Sequence, residues 1–184
     1  RRNLERYKKF HGTTIELVRG CSYGACFFCP RPEGSRYTRG FSVGMKLDEI
    51  SYLSAKGITG IPIIDEEFWE GAAGIKGKIP FLYELIERKQ SGSINPSMVF
   101  CADMRADTIC AAKDLETQLP KDEWPLHLLS QAGIKFIFCG IESLSDDMLR
   151  HLNKGTTVDE NIRAVQILRE KGLKFQAGSL GLAP

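Results

Sequence analysis

The sequence lacks the features that mark several protein classes. No apolar stretch approaches the roughly 18 residues of a membrane span, and no secretory signal opens the chain. Neither sign of charge dominates, because 25 Lys and Arg residues accompany 23 Asp and Glu residues. The sequence therefore does not indicate the strong positive electrostatic potential that is typical of a domain that binds nucleic acid or a membrane surface. What remains is a chain of 184 residues, long enough for one domain with a substantial core.

Cysteine is unevenly distributed along the chain. Three of the six cysteines, Cys21, Cys26 and Cys29, form a Cys-x4-Cys-x2-Cys motif, and the others lie far apart. Disulfide frameworks are typical of shorter secreted chains, so we expect a reducing cytoplasm in which these thiolates stay available for a metal. Three thiolates leave a centre unsaturated, since structural zinc takes four protein ligands and a four-iron cluster has four irons.

Repeated helix and strand segments are indicated by glycines 35 to 41 residues apart. Each closes a segment with helical spacing of apolar residues and is followed by an apolar run. Pro80 is expected to start one of these helices, and Thr157 with Glu160 forms a capping box ahead of the last. The four glycines are Gly57, Gly92, Gly133 and Gly172.

The apolar runs predict an α/β fold, a partial (β/α) barrel with a parallel sheet of five strands and outer helices. The runs are mostly continuous rather than alternating, which favours strands that are covered on both faces. The five runs are residues 15–19, 61–65, 98–102, 135–139 and 174–180.

Polar residues follow four of these runs, where the loops of such a barrel carry function. We expect them to meet at one mouth, because the carboxyl ends of parallel strands share one edge. They are Cys21, Asp65, Glu66, Glu67, Asp103, Arg105 and Glu142.

Several metal centres fit the cysteine motif by itself. Its spacing matches a plant-type two-iron ferredoxin, although the βα pattern is unlike a small electron carrier. A zinc ion would need a fourth ligand, such as His11 or a distant cysteine, and a disulfide with one spare thiol is a further alternative. The remaining interpretation is a four-iron cluster held by three thiolates, with one iron open to a ligand.

The motif resembles the cluster loop of the radical S-adenosylmethionine enzymes. Residues 19–29, Arg-Gly-Cys-Ser-Tyr-Gly-Ala-Cys-Phe-Phe-Cys, are similar to that loop, and residues 63–68 and 139–144 match two further stretches of the family. One more stretch resembles sequences of the branch that contains cobalamin-dependent methylases and methylthiotransferases: Asn153-Lys154-Gly155-Thr156-Thr157. The family usually places three residues between its first two cysteines, and this chain has four.

The resemblance implies a role for nine residues. Cys21, Cys26 and Cys29 would hold the cluster. Phe28 would lie against the adenine of S-adenosylmethionine, Glu66 and Glu67 would hold its ammonium group, and Glu142 and Ser143 would bind its ribose hydroxyls. Arg105 would pair either with the carboxylate of the ligand or with Asp107.

The activity that the resemblance implies is one-electron cleavage of S-adenosylmethionine to a 5′-deoxyadenosyl radical, which abstracts hydrogen from a small-molecule or peptide substrate. Cobalamin-dependent methylation or a related rearrangement is the expected reaction, and a tRNA methylthiotransferase is an alternative. The electron would come from an external donor such as flavodoxin or ferredoxin, and any cobalamin would be bound by a domain outside this chain. The core domain is expected over residues 13–184, with residues 1–12 as a linker.

A rival from another class is a non-catalytic iron–sulfur electron-transfer domain or a zinc-binding domain that uses the same thiolates. Such a domain would bind no S-adenosylmethionine, so binding of this ligand separates the two hypotheses.

Overall fold

The computed structural model describes residues 13–30, 37–71 and 73–180. The predicted linker and the alternative ligand His11 lie outside these residues. In chain order the elements are β1 (Val18–Arg19), β2 (Arg39–Gly40), α1 (Val43–Ala55), β3 (Gly60–Pro62), α2 (Gly74–Gln90), β4 (Val99–Arg105), α3 (Ala106–Leu115), α4 (Pro125–Ala132), β5 (Ile134–Glu142), α5 (Asp146–His151), α6 (Val158–Glu170) and β6 (Lys174–Ser179).

A parallel sheet of four strands in the order β3-β4-β5-β6 forms the centre of the described fold. Helices connect its strands, α2 packs against α4, and α3 packs against α6. The prediction of an α/β fold with a parallel sheet and outer helices is confirmed. The parallel pairing brings the carboxyl ends of β4, β5 and β6 to one edge, where the connecting loops begin.

The prediction of a fifth regular strand at residues 15–19 is wrong within the described residues. Ile15 makes one parallel bridge to Ile63, and the chain then leaves the sheet so that β1 pairs antiparallel with β2. The Asp65 carboxylate accepts the Leu17 and Val18 backbone N–H groups at 2.6 and 3.1 Å. These donors are therefore taken by a side chain instead of a neighbouring strand.

The expectation that both sheet faces are covered is also wrong within the described residues. In β4, Phe100, Ala102 and Met104 are buried against the helices. On the opposite face, Phe136 and Phe138 of β5 are 38% and 39% exposed. The alternation shows that, in this part of the chain, the sheet buries one face much more completely than the other.

Local sequence features predicted most of the helix ends correctly. Each of the four punctuating glycines has a positive φ, between 64° and 94°, which favours glycine over residues with a Cβ atom. The Thr157–Glu160 capping box is present at the start of α6. Pro80, however, lies inside α2 rather than at its start. Pro80 and Lys76 are both exposed, so water can bond the Lys76 carbonyl that loses its intrahelical donor.

None of the helices within the described ranges combines the length and apolar character needed to cross a membrane.

Candidate functional site

A cavity of about 170 Å³ opens where β4 and β5 end beside the cysteine motif. It brings together residues that are far apart in sequence, as the arrangement of polar groups after the strands predicts. Lys154 and Asp103 also line it. Seven of the nine predicted site residues contribute to its wall: Cys21, Cys26, Phe28, Cys29, Glu66, Arg105 and Glu142.

The three motif thiols face this cavity and are not joined in disulfides. Burial raises the pKa of the Cys26 thiol, and the positive charges of Lys154 and Arg105 oppose that rise. Among the described residues, no three Cys, His, Asp or Glu side chains are grouped closely enough to hold a single metal ion. In a four-iron cluster, by contrast, each thiolate binds a different iron.

Three carboxylates after β3 hold the backbone that leads into the motif. Asp65 accepts the two N–H groups described above, Glu66 Oε2 accepts the Gly20 N–H at 2.6 Å, and Glu70 Oε1 accepts the Ser22 N–H at 2.9 Å. Lys78 lies 2.9 Å from Asp65 Oδ2 and compensates its buried charge. The path of the chain around Cys21 is therefore fixed by side chains that lie 46 to 48 residues later in the sequence.

Glu67 does not reach the cavity. It is 1% exposed, its Oε1 accepts the Trp69 N–H and the Thr108 hydroxyl, each at 3.1 Å, and its Oε2 accepts the Arg105 N–H at 2.5 Å. Burial raises the pKa of this carboxyl to about 7, although these three donors favour its ionised form. Glu67 thus joins the β3 loop to the end of β4.

Ser143 also lies outside the cavity wall. Its hydroxyl accepts the Ser145 N–H at 3.1 Å, and its carbonyl accepts a hydrogen bond from Asn161 Nδ2 at 3.0 Å. These contacts shape the turn after β5. Of the two residues predicted to bind the ribose, Glu142 therefore lines the cavity and Ser143 does not.

Arg105 pairs with Asp107, which is one of its two predicted partners. Its Nε and Nη2 donate to the Asp107 carboxylate at 2.9 and 3.0 Å, and Nη2 also donates to the Lys154 carbonyl at 2.9 Å. The guanidinium carbon lies 4.1 Å from the centre of the Tyr23 ring, and Nη1 lies 4.0 Å from Cys26 Sγ. Arg105 therefore touches the cysteine loop and the segment after α5 at once.

The turn of residues 153–155, which we call the clasp turn, holds the cysteine loop through three contacts, and the adjoining Leu152 adds a fourth. Asn153 Nδ2 donates to the Ala25 carbonyl at 2.8 Å, and the Tyr23 hydroxyl donates to the Asn153 carbonyl at 2.8 Å. The Phe27 N–H donates to the adjoining Leu152 carbonyl at 2.9 Å, and the Tyr23 ring packs on Gly155. The segment between Cys21 and Cys26, which is one residue longer than in the family pattern, is the part that the turn contacts.

Lys154 lines the cavity, although our sequence analysis assigned it no role. It is 5% exposed and lies 3.1 Å from Glu142 Oε1, and its Nζ lies 5.8 Å from the centre of the Phe28 ring. A Cβ atom at Gly140 would approach Lys154 Nζ to 2.9 Å, so glycine leaves the room for this ion pair. The one sequence feature that could have drawn attention to Lys154 is its place in the motif of residues 153–157. The burial of its ammonium group depends on the fold and could not be predicted from that motif.

Glu142 adopts a conformation that is rare for a residue with a side chain. Its φ is 62°, in the left-handed region, at the end of β5. Backbone strain of this kind collects at functional sites, where the surrounding structure imposes it. Here the ion pair with Lys154 holds the carboxylate at the cavity wall.

Comparisons with known proteins agree with this geometry. No protein-family model matches the chain. Over 190 aligned positions it is 30% identical to 4′-phospho-dehydrooxetanocin synthase of Priestia megaterium, with 95% of this chain and 24% of that protein covered. Over 176 positions it is 31% identical to a protein of Methanocaldococcus jannaschii that bears the name of a methylthiotransferase, with 92% and 34% covered.

A solved structure shares both fold and sequence. The cobalamin-dependent S-adenosylmethionine radical enzyme OxsB, with aqua-cobalamin and S-adenosylmethionine bound, superposes with a TM-score of 0.80 at 29% identity, over 97% of this chain and 25% of that chain. The chain spans between about a quarter and a third of the length of these three proteins. Together with the cysteine motif and the fold that carries it, this likeness shows that the chain belongs to the radical S-adenosylmethionine superfamily.

Proposed function

We propose that this chain is the core of a radical S-adenosylmethionine enzyme in which Cys21, Cys26 and Cys29 hold a [4Fe-4S] cluster. The observation that carries the proposal is the convergence of three thiols, three carboxylates and two cations on one cavity. Three thiolates leave one iron for the amino and carboxylate groups of S-adenosylmethionine. When bound, the cluster supplies one electron to the sulfonium, which yields methionine and a 5′-deoxyadenosyl radical that abstracts hydrogen from substrate.

The side chains around the thiols divide into ligand contacts and supports. We assign Phe28 to the adenine, Glu66 to the ammonium group and Glu142 to the ribose hydroxyls, because these three line the cavity. Glu67 and Ser143 support them, since their oxygens are occupied by protein donors behind the wall. Arg105 is assigned to the cysteine loop, because Asp107 already takes two of its guanidinium nitrogens.

The exposed sheet face supports the finer prediction of a partial (β/α) barrel over residues 13–184. Cys101 pairs in register with Phe136 and Asp103 with Phe138, so all four side chains share that face. A surface that exposes two phenylalanines is suited to line a barrel interior, where it would keep a radical away from water. Cobalamin would be bound by a domain outside these residues, as the greater length of the cobalamin-dependent relative OxsB allows.

The reaction that we favour is cobalamin-dependent methylation or a related rearrangement of a small-molecule or peptide substrate. The likeness to OxsB supports this choice. Flavodoxin or ferredoxin in the cytoplasm would supply the electron, and reduced thiolates need such a compartment. Methylthiotransfer is a second candidate, supported by the 31% identity to the Methanocaldococcus protein. Analysis of the product for an added methyl or methylthio group separates the two.

The test is anaerobic reconstitution of the protein with iron and sulfide. We expect about four irons per chain, loss of the cluster in Cys26→Ala, and its retention in Cys101→Ala, which removes a thiol outside this cavity. Addition of S-adenosylmethionine should change the electron paramagnetic resonance spectrum of the reduced protein. A spectrum that does not respond would indicate an electron carrier, and a single tightly bound zinc ion would contradict the cluster.

A further inference from the structure

Two buried cations flank the thiol cavity. Arg105 and Lys154 are 7% and 5% exposed, and both line the cavity together with Cys26. Charged groups are seldom buried to this degree unless a partner offsets the cost of removing them from water. Each has a carboxylate partner, Asp107 for Arg105 and Glu142 for Lys154.

The position of Asp107 leaves the charge of Arg105 on the side of the thiols. Asp107 is not part of the cavity wall, and its side chain is 30% exposed, so water screens it more than it screens Arg105. The opposite side of the guanidinium, Nη1, faces Cys26 Sγ at 4.0 Å. Arg105 therefore presents a hydrogen-bond donor and a positive charge to a sulfur atom.

Lys154 is held in place by the backbone as well as by its ion pair. Gly140 lies under its ammonium group, where a Cβ atom would come within 2.9 Å of Nζ. The backbone carbonyl of Lys154 accepts a hydrogen bond from Arg105 Nη2 at 2.9 Å, so the two cationic residues are fixed relative to each other. The Lys154 ammonium group cannot swing out to water without breaking its ion pair with Glu142.

We propose that Arg105 and Lys154 raise the reduction potential of the cluster held by Cys21, Cys26 and Cys29, an inference that rests on the function proposed above. One electron passes from an external low-potential donor to the cluster, and no bond forms or breaks in that step. Three thiolates and an oxidised core together carry one negative charge, which reduction increases to two. Buried cations stabilise the more negative state, and charge and hydrogen bonds to the sulfurs tune such potentials.

The test is the midpoint potential of the reconstituted protein, followed by electron paramagnetic resonance during a redox titration without S-adenosylmethionine. Lys154→Met should lower the potential by at least about 59 mV, a tenfold change for a one-electron couple. Lys154→Arg keeps the charge and should stay near the wild-type value. Lys174→Met removes an exposed lysine at the opposite end of the sheet and is the matched control.

A variant with the opposite charge change separates the electrostatic effect from disturbed packing. Glu142→Gln removes the carboxylate that partly cancels Lys154, so it should raise the potential. Shifts of Lys154→Met and Glu142→Gln in the same direction, or a Lys154→Met value equal to that of the control, would overturn the inference. If Lys154→Met binds no iron, Arg105→Gln against Arg105→Lys makes the same comparison. A wild-type protein without any cluster would instead overturn the proposed function, and this inference with it.

Discussion

The Tyr23 hydroxyl donates a 2.8 Å hydrogen bond to the Asn153 carbonyl, across 130 residues of sequence. This bond fastens the extra length between Cys21 and Cys26 to the clasp turn. Arg105 lies on the Tyr23 ring and bonds the next carbonyl of the turn, so three separate segments meet at one tyrosine. The longer loop is thereby held in a defined position beside the thiols.

Gly155→Ala should destabilise the cysteine loop. Gly155 has a φ of 69°, and a Cβ atom there would overlap the Tyr23 ring. We expect a loss of about 1–2 kcal/mol from the left-handed backbone and about 1–3 kcal/mol more from the overlap. Gly172→Ala is the control, since its φ is 64° and the space around it is open. Chemical denaturation measures both, and equal losses in the two variants would contradict the contact with Tyr23.

Asn153→Gly should weaken retention of the cluster with a small effect on global stability. The substitution relieves a φ of 48° but removes the 2.8 Å hydrogen bond to the Ala25 carbonyl, worth about 1 kcal/mol. We expect faster release of iron to a chelator, measured by absorbance, at a nearly unchanged midpoint of unfolding. Unchanged release kinetics would show that the side-chain bond does not hold the loop.

Lys78→Met should be strongly destabilising, because it leaves the buried Asp65 carboxylate without its cation. The two side chains are 6% and 2% exposed and lie 2.9 Å apart. Breaking such a pair costs about 3–5 kcal/mol in the free energy of unfolding. Lys76→Met, on the exposed side of the same helix, should change stability by less than about 0.5 kcal/mol. Asp65→Asn in the Lys78→Met background should recover part of the loss.

Glu67 should make stability fall as the pH rises from about 4.5 to about 7. Burial raises the pKa of this carboxyl from its ordinary 4.5 to about 7, so the folded state binds more protons than the unfolded state across this interval. At 1.36 kcal/mol per pKa unit, the full effect is about 3 kcal/mol.

Denaturation at several pH values, compared between wild type and Glu67→Gln, isolates that contribution. Burial also raises the pKa of Asp65 and Asp103, so wild type alone would combine several groups. The variant is expected to be less stable at pH 5 because its amide group faces backbone donors, and to show a shallower pH dependence. Parallel curves for the two proteins would contradict the raised pKa.

Much of the site could be predicted because the chemistry repeats a simple order along the chain. Polar groups follow apolar runs, and in a parallel α/β fold such positions share one edge. Five of the residues predicted in this way reached one cavity: Cys21, Glu66, Asp103, Arg105 and Glu142. The wrong site predictions concern residues that are adjacent in sequence to a correctly predicted one. Glu66 lines the cavity and Glu67 is buried behind it, and no local pattern distinguishes two adjacent carboxylates in a loop.

Local interactions explain what the sequence by itself determined. The left-handed glycines end the helices and the Thr157–Glu160 box starts α6, both through contacts between residues a few positions apart. The Cys21–Cys29 spacing by itself places three thiols within nine residues of sequence.

Only the tertiary structure decided the rest. The capture of the Leu17 and Val18 donors by Asp65, the burial of Lys154 beside the thiols and the hold of the clasp turn on Tyr23 each join segments at least 12 residues apart. Their energies depend on desolvation and close packing, which exist only once the sheet has brought these segments together.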